Sequence, residues 1–202
     1  MRTADALLFD LGRVVYGIDI NRAFACWAGH ARCDPRLVAE QFRRDVSYHR
    51  HEVGAIDTRE YFAGVAAACG IDISYDQFLE GWNAIFLDEV PGMADLLARA
   101  GRQLPLYAFT NTNPDHELVW SQRYADILAN FREIFVSSTI RLRKPDAAAY
   151  DHVVKAIGVP AQRIVFFDDV IENVEGARAR GLQAVHVRSI ADVADALAAL
   201  GL

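Results

Sequence analysis

The chain has 202 residues, 52% hydrophobic and 24% charged, enough to bury the core of one sizeable domain or of a principal domain carrying a small insertion. That composition excludes a disordered chain, and a net charge of -6, from 27 acidic against 21 basic residues, argues against a nucleic-acid partner, which needs a broad positive face. A small anionic substrate therefore calls for a locally positive site.

The chain runs from Met1 through Arg2 and Asp5 into a short apolar run. There is no long hydrophobic region, cleavage-site pattern or stretch able to cross a bilayer, so no membrane partner is expected and the default location is cytoplasmic. A first strand is expected over Ala6 to Phe9. From about Asp19 to about Phe86 only helical signals follow, among them the capping pattern of Asp57 and Glu60 ahead of Tyr61, Phe62, Val65 and Ala66. Trp27 and Trp82 read there as core residues. Cys26, Cys33 and Cys69 lie in this stretch or its helices without C-x-x-C spacing, and read as free thiols in a reducing compartment rather than as a disulfide framework or zinc site. A helix is expected to begin near Pro91, with Met93, Leu96, Leu97 and Ala100 on one stripe, then a strand over Leu104 to Phe109 and another over Glu133 to Val136. A helix carrying Tyr150, Val153, Val154 and Ile157 stops at Gly158, and a strand over Ile164 to Phe167 follows. A helix beginning near Ile171 stops at Gly181, and a strand over Gln183 to Val187 leads into a helix with Ile190, Val193, Leu197 and Leu200. The class is α/β, with right-handed βαβ crossovers. The interval between Phe9 and Leu104 is too long for a single crossover helix. We read residues 19–86 as an inserted helical cap, and residues 1–18 and 87–202 as the core.

Polar residues follow the strands: Asp10 after the first, Thr110 and Asn111 after the second, Ser137 and Ser138 after the third, Asp168 and Asp169 after the fourth. Ligands of open α/β sheets bind beyond the carboxyl ends of the strands, so these groups should share one crevice. Three carboxylates there would repel, and raised pKa values or a divalent cation are the usual resolutions. Oxygen-only ligands favour Mg2+ over zinc. Lys144, ahead of Pro145, can neutralise Asp10 and an incoming phosphate, with Thr110 donating to the same anion. Asp168 and Asp169 are equally able to cap the helix near Ile171. The metalloprotease pattern H-E-x-x-H, the P-loop, Gly-x-Gly-x-x-Gly and Gly-x-Ser-x-Gly are all missing.

The ordered motifs Phe9-Asp10-Leu11-Gly12-Arg13-Val14-Val15, Phe109-Thr110-Asn111, Arg143-Lys144-Pro145 and Phe167-Asp168-Asp169, with Asn173, Gly176 and Ala177, resemble those of the haloacid dehalogenase-like superfamily. The resemblance implies a Rossmann-like parallel-sheet core with helices on both faces, a helical cap over the substrate, an aspartyl-phosphate intermediate and magnesium. By motif position it makes Asp10 nucleophile and metal ligand, Gly12 a carbonyl ligand and Asp169 the direct metal carboxylate. Thr110, Asn111 and Lys144 then bind phosphate, and Asn173 stands where a second acid is usual.

Most phosphatases of the superfamily carry a second Asp at the position of Gly12, as general acid and base. The stretches Ile18-Asp19-Ile20-Asn21-Arg22, Tyr48-His49-Arg50-His51-Glu52-Val53-Gly54 and Thr110-Asn111-Thr112-Asn113 are similar to bacterial alpha-glucose-1-phosphate phosphatases, which share the glycine. An anomeric hydroxyl leaves with less need of an acid, and His49, His51 or a water held by the cap is the expected substitute. The expectation is thus a magnesium-dependent hydrolase of a small phosphate ester, a sugar phosphate first, with oligomeric state open. The alternatives are a 2-haloacid dehalogenase forming an ester on Asp10, or a phosphate-binding or regulatory protein without turnover.

Overall fold

The computed structural model describes residues 3–202. Its strands, in chain order, are β1 (Ala6–Phe9), β2 (Tyr16–Ile18), β3 (Phe86–Glu89), β4 (Leu106–Thr110), β5 (Glu133–Val136), β6 (Ile164–Asp168) and β7 (Gln183–His186). The helices are α1 (Asn21–Ala31), α2 (Pro35–Gln41), α3 (Val46–Glu52), α4 (Thr58–Cys69), α5 (Tyr75–Asn83), α6 (Met93–Gly101), α7 (Pro114–Arg123), α8 (Ala125–Leu128), α9 (Ser137–Ile140), α10 (Ala147–Ile157), α11 (Ile171–Ala179) and α12 (Ile190–Ala199).

The main sheet has the order β5-β4-β1-β6-β7, all neighbours parallel. Side chains alternate along β1, so its two faces feed two cores. Leu7 and Phe9 pack with Leu97, Val193 and Leu197 of α6 and α12. Ala6 and Leu8 pack with Tyr150, Val153 and Ile157 of α10 and Ala177 of α11. Burial on both faces explains why the central strands β1 and β6 are apolar throughout up to the site, whereas the edge strands β5 and β7 carry Glu133, Gln183 and His186. This is an α/β Rossmann-like fold, as the sequence indicates.

Register sets the position of the site. Phe9 pairs with Ala108 on one side and Phe167 on the other, so the next residue, Asp10, emerges level with Phe109 and Asp168. The Asp10 amide donates to the Phe167 carbonyl at 2.8 Å, extending the ladder into the site.

Strand and helix ends shift slightly from expectation. The second core strand starts at Leu106 rather than Leu104, since Pro105 has no N–H for a ladder, and α6 starts at Met93 after Gly92 in a left-handed conformation (φ 85°). The sequence gives no sign of the antiparallel ribbon in which Tyr16 pairs with Glu89 and Ile18 with Phe86. Strands of three and four residues are too short to show alternation, and Phe86 lies where helical pattern runs out.

Between β2 and β3 come α1 to α5, whose aromatic side chains pack together and run on into the core on the Leu7 and Phe9 face of the sheet. Trp27 stacks on Phe78 at 5.0 Å and Phe78 on Trp82 at 5.8 Å, while the Trp27 indole N–H donates to the Phe78 carbonyl at 2.9 Å. Gly81 makes this possible: a Cβ there would lie 2.4 Å from the Trp27 ring and 3.2 Å from the Ala23 carbonyl, so α1 and α5 meet only because it is absent.

Candidate active site

Asp10, Gly12, Thr110, Asn111, Lys144 and Asp169 line one cleft of about 410 Å³ at the carboxyl ends of the strands, together with His49 and Asn173. At its floor lies Lys144, 1% exposed. Its Nζ donates to Asp10 Oδ1 at 2.6 Å, to Asp168 Oδ2 at 2.7 Å and to the Phe109 carbonyl at 2.7 Å. Three acceptors use all three ammonium protons, and the donor is fixed. Burial pulls the Lys144 ammonium down, but Asp10 and Asp168 outweigh it and hold the group above its ordinary range.

Asn111 explains how Lys144 reaches so deep. Its Oδ1 accepts from the Lys144 amide and its Nδ2 donates to the Lys144 carbonyl, both at 2.9 Å. A side chain expected from the family likeness to bind phosphate is thus spent on clamping the lysine's backbone.

The two acids after β6 separate clearly. Asp168 is fully buried and accepts from Lys144, from the Val170 amide at 2.8 Å and from Asn173 Nδ2 at 3.1 Å on both oxygens. It orders the floor and the start of α11. Asp169 lines the cleft, with Arg13 Nη1 at 3.8 Å. Burial raises the Asp169 carboxyl, Asp168 adds to the rise, and Arg13 and Lys144 oppose it. The Asp10 carboxyl is likewise raised by burial, against the pull of Lys144 and with repulsion from Asp168 and Asp169. Three carboxylates face one buried ammonium and the half-exposed Arg13 guanidinium at 3.8 Å, which leaves the floor of the crevice short of positive charge. The donors at hand, the carboxylates of Asp10 and Asp169 and the main-chain carbonyl of Gly12, are all oxygen, and they fit magnesium.

Gly12 is packed, not empty. A Cβ there would meet Ile18 Cδ1 at 2.6 Å and lie 3.9 Å from Asp10 Oδ2. The tip of Ile18 therefore fills the space into which a side chain at this position would grow.

The two histidines of α3 part company. His49 lines the cleft. His51 does not: it stacks on Tyr61 at 4.5 Å, and its Nε2 donates at 3.0 Å to Thr58 Oγ1, which in turn donates to Asp115. Burial lowers His51 to about 4, so it is a neutral packing group, contrary to its expected place beside the substrate. Because α3 is a helix, residues two apart point to nearly opposite sides, so only one of the pair can face the cleft.

Several lining residues escape the sequence reading. Glu52 pairs with Arg143 Nε at 3.0 Å, joining α3 to the lysine loop, and the Glu52 carbonyl accepts from Ser137 Oγ at 2.7 Å. Each residue lies in a stretch quoted above, Tyr48 to Gly54 and Arg143 to Pro145, but no local pattern pairs the two. His116 is buried and lowered to about 3 by burial, with Nε2 donating to the Trp82 carbonyl at 2.9 Å and Nδ1 accepting from Asn113. Tyr16, Ile18, Ile20, Trp82, Ile85, Phe86 and Trp120 supply apolar walls.

Comparison with known proteins adds lineage. A family model described as haloacid dehalogenase-like hydrolase matches residues 5–181. A drimenol cyclase from Aspergillus calidoustus is 27% identical over 191 residues, 89% of this chain and 33% of its own. A phosphoglycolate phosphatase from Pseudomonas savastanoi pv. phaseolicola is 27% identical over 181 residues, 90% of this chain and 60% of its own. The chain thus spans between about a third and 60% of the length of these curated relatives. Among solved structures, a HAD family enzyme from Bacteroides thetaiotaomicron, in complex with magnesium and inorganic phosphate, superposes with a TM-score of 0.79 at 23% identity, over 92% of this chain and 95% of that one.

Proposed function

The chain belongs to the haloacid dehalogenase-like hydrolase family, and on that premise we propose that it is a magnesium-dependent phosphomonoesterase with Asp10 as nucleophile. The observation that carries this reading is the Lys144 ammonium bound to both Asp10 and Asp168 beneath a cleft lined by Thr110 and Asp169. Lys144 holds Oδ1 of Asp10, and the other oxygen attacks phosphorus. The Asp10 O–P bond forms as the ester P–O bond breaks, and the alcohol oxygen departs with a proton. Water then attacks phosphorus, releasing phosphate and restoring Asp10. Thr110 binds a phosphoryl oxygen, while Lys144, expected from the family likeness to bind phosphate directly, spends its three protons beneath the cleft and acts there by its charge, with Asn111 acting through Lys144. Asp10, Asp169 and the Gly12 carbonyl would hold magnesium, which when bound supplies charge neutralisation and polarises the phosphoryl group.

Residues 19–86 act in this reading as a cap that selects the organic group, over a core of residues 1–18 and 87–202. Arg44, Tyr48, His49 and Glu52 line the cleft from it and can hydrogen-bond hydroxyls, which supports a sugar phosphate. His49, or a water held beside it, is the proton donor that stands in for the acid missing at Gly12. A second reading has its own observation: Ile18, Ile20, Ile85 and Phe86 form an apolar wall, and Ile18 lies against Gly12, which suits the phosphate of an apolar alcohol. The proposed setting is the cytoplasm, with a small phosphate ester as partner. It is supported by three free cysteines. No helix among the described residues is long and apolar enough to cross a membrane.

The test is phosphate release from a panel of sugar and terpenyl phosphates, with and without magnesium, beside Asp10→Asn. Magnesium-dependent release lost in the variant supports the reading and ranks the two substrate classes. Chloride release from 2-chloropropionate without metal, and no phosphate release, would replace it with dehalogenation.

A further inference from the structure

Outside the cleft, one group of metal-ligating side chains converges among the described residues: Cys26, His30 and Glu80. Cys26 and His30 stand four apart on α1 and so share a face. Glu80 comes from α5, next to Gly81, the residue whose missing Cβ lets α5 close on Trp27. That close approach brings Glu80 Oε2 to 2.9 Å from His30 Nε2. The thiol, imidazole and carboxylate ligand atoms all lie within 4.8 Å of one another.

We propose that Cys26, His30 and Glu80 form a second metal site, selective for zinc-class divalent ions and separate from the magnesium crevice. Ligand chemistry makes the choice: thiolate and imidazole favour zinc, whereas magnesium takes oxygen. Bond lengths of about 2.3 Å to sulfur and 2.0 Å to nitrogen and oxygen in a tetrahedron put ligand atoms roughly 3.3 to 3.5 Å apart, within a rotamer adjustment of the spacing present. A thiolate and a carboxylate balance the two positive charges, and water completes the tetrahedron. Glu80 is 64% exposed at its side chain, so ions enter directly from solvent. In the metal-free chain burial and the Glu80 charge push the Cys26 thiol up, so binding expels a proton and strengthens as pH rises. The ion would staple α1 to α5, which carry Trp27 and the cleft-lining Trp82.

The experiment titrates chelator-treated protein with cobalt(II), zinc's spectroscopic stand-in, in excess magnesium. The expected result is a thiolate-to-cobalt charge-transfer band that saturates at one equivalent, is displaced by zinc, persists in Asp10→Asn and Cys33→Ser, and disappears in Cys26→Ser. A Glu80→Gln variant, altered only at an exposed carboxylate, guards against misfolding of the cysteine variant and is expected to bind cobalt at least tenfold more weakly. No band in the unaltered protein, a band that survives Cys26→Ser, or undiminished affinity in Glu80→Gln overturns the proposal.

Discussion

Replacing Lys144 by Met keeps the length of the side chain and removes its charge, leaving Asp10 and Asp168 facing each other in a buried crevice. The ammonium lost is 1% exposed and makes contacts of 2.6, 2.7 and 2.7 Å. Breaking one side of such a buried pair costs about 3 to 5 kcal/mol. For a domain of this size that is a fall in Tm of roughly 6 to 20 °C. The pH dependence has a definite sign. The Asp10 carboxyl is already raised by burial, and losing Lys144 raises it further. A carboxyl whose folded pKa lies above its unfolded value contributes stability at low pH and loses it as pH rises. The variant should therefore be weakest near pH 8 and approach the parent as pH falls toward 5, and magnesium should recover part of the loss by supplying positive charge. Urea unfolding at both pH values, with and without magnesium, measures all of this. A variant within about 1 kcal/mol of the parent at pH 8 without metal would refute the view that Lys144 neutralises the crevice.

Other outcomes follow from the same geometry. Asp169→Asn should raise the magnesium needed for half-activity by more than the roughly tenfold that loss of an outer-shell partner costs, read from activity against magnesium concentration. Its metal-free stability should not fall, because repulsion from Asp168 is relieved. Asn111→Ala removes two bonds to the Lys144 backbone and should cost about 1 to 3 kcal/mol in urea unfolding, with a larger fall in kcat than in substrate affinity. His51 and His116 are held neutral by burial, lowered to about 4 and about 3, so the unfolded chain binds more protons and stability falls as pH drops below about 6.5. From pH 6.5 to 5 each contributes a loss of roughly 2 kcal/mol, and His51→Gln should flatten the slope of melting temperature against pH. Gly12→Asp together with Ile18→Val, which deletes the Cδ1 atom in the way, should raise turnover of alkyl phosphates. Gly12→Asp alone should gain less, and equal rates in the two variants would show that Ile18 does not crowd this position.

Much of the core was legible because its signals are local. Short apolar runs mark β1, β4 and β6 most clearly, and Asp10, Thr110, Asn111, Asp168 and Asp169 come at or just beyond a strand end. The parallel register then does what the sequence alone cannot display: it brings Asp10 level with Phe109 and Asp168, and Lys144 between them. What stayed hidden depends on distant pairing. The Glu52 and Arg143 pair joins residues 91 apart in sequence, and no local pattern marks it. The β2 and β3 ribbon is too short to announce itself. His51 and His49 look alike in the sequence, and only the rotation of α3 sends one to the cleft and the other against Tyr61. The family likeness puts Asn111 at the phosphate, but a strand-end Asn can bond either substrate or backbone, and the choice rests on where the Lys144 loop returns.

The central claim is that Asp10 carries the phosphoryl group, and the most direct measurement is chemical trapping of that state. Enzyme quenched during turnover is treated with borohydride, which reduces an acyl phosphate to the alcohol, and the peptide containing position 10 is weighed. Conversion of Asp10 to homoserine, dependent on substrate and magnesium, is the predicted result. Phosphate release without any modified Asp10, or with the modification at another carboxylate, would contradict the account.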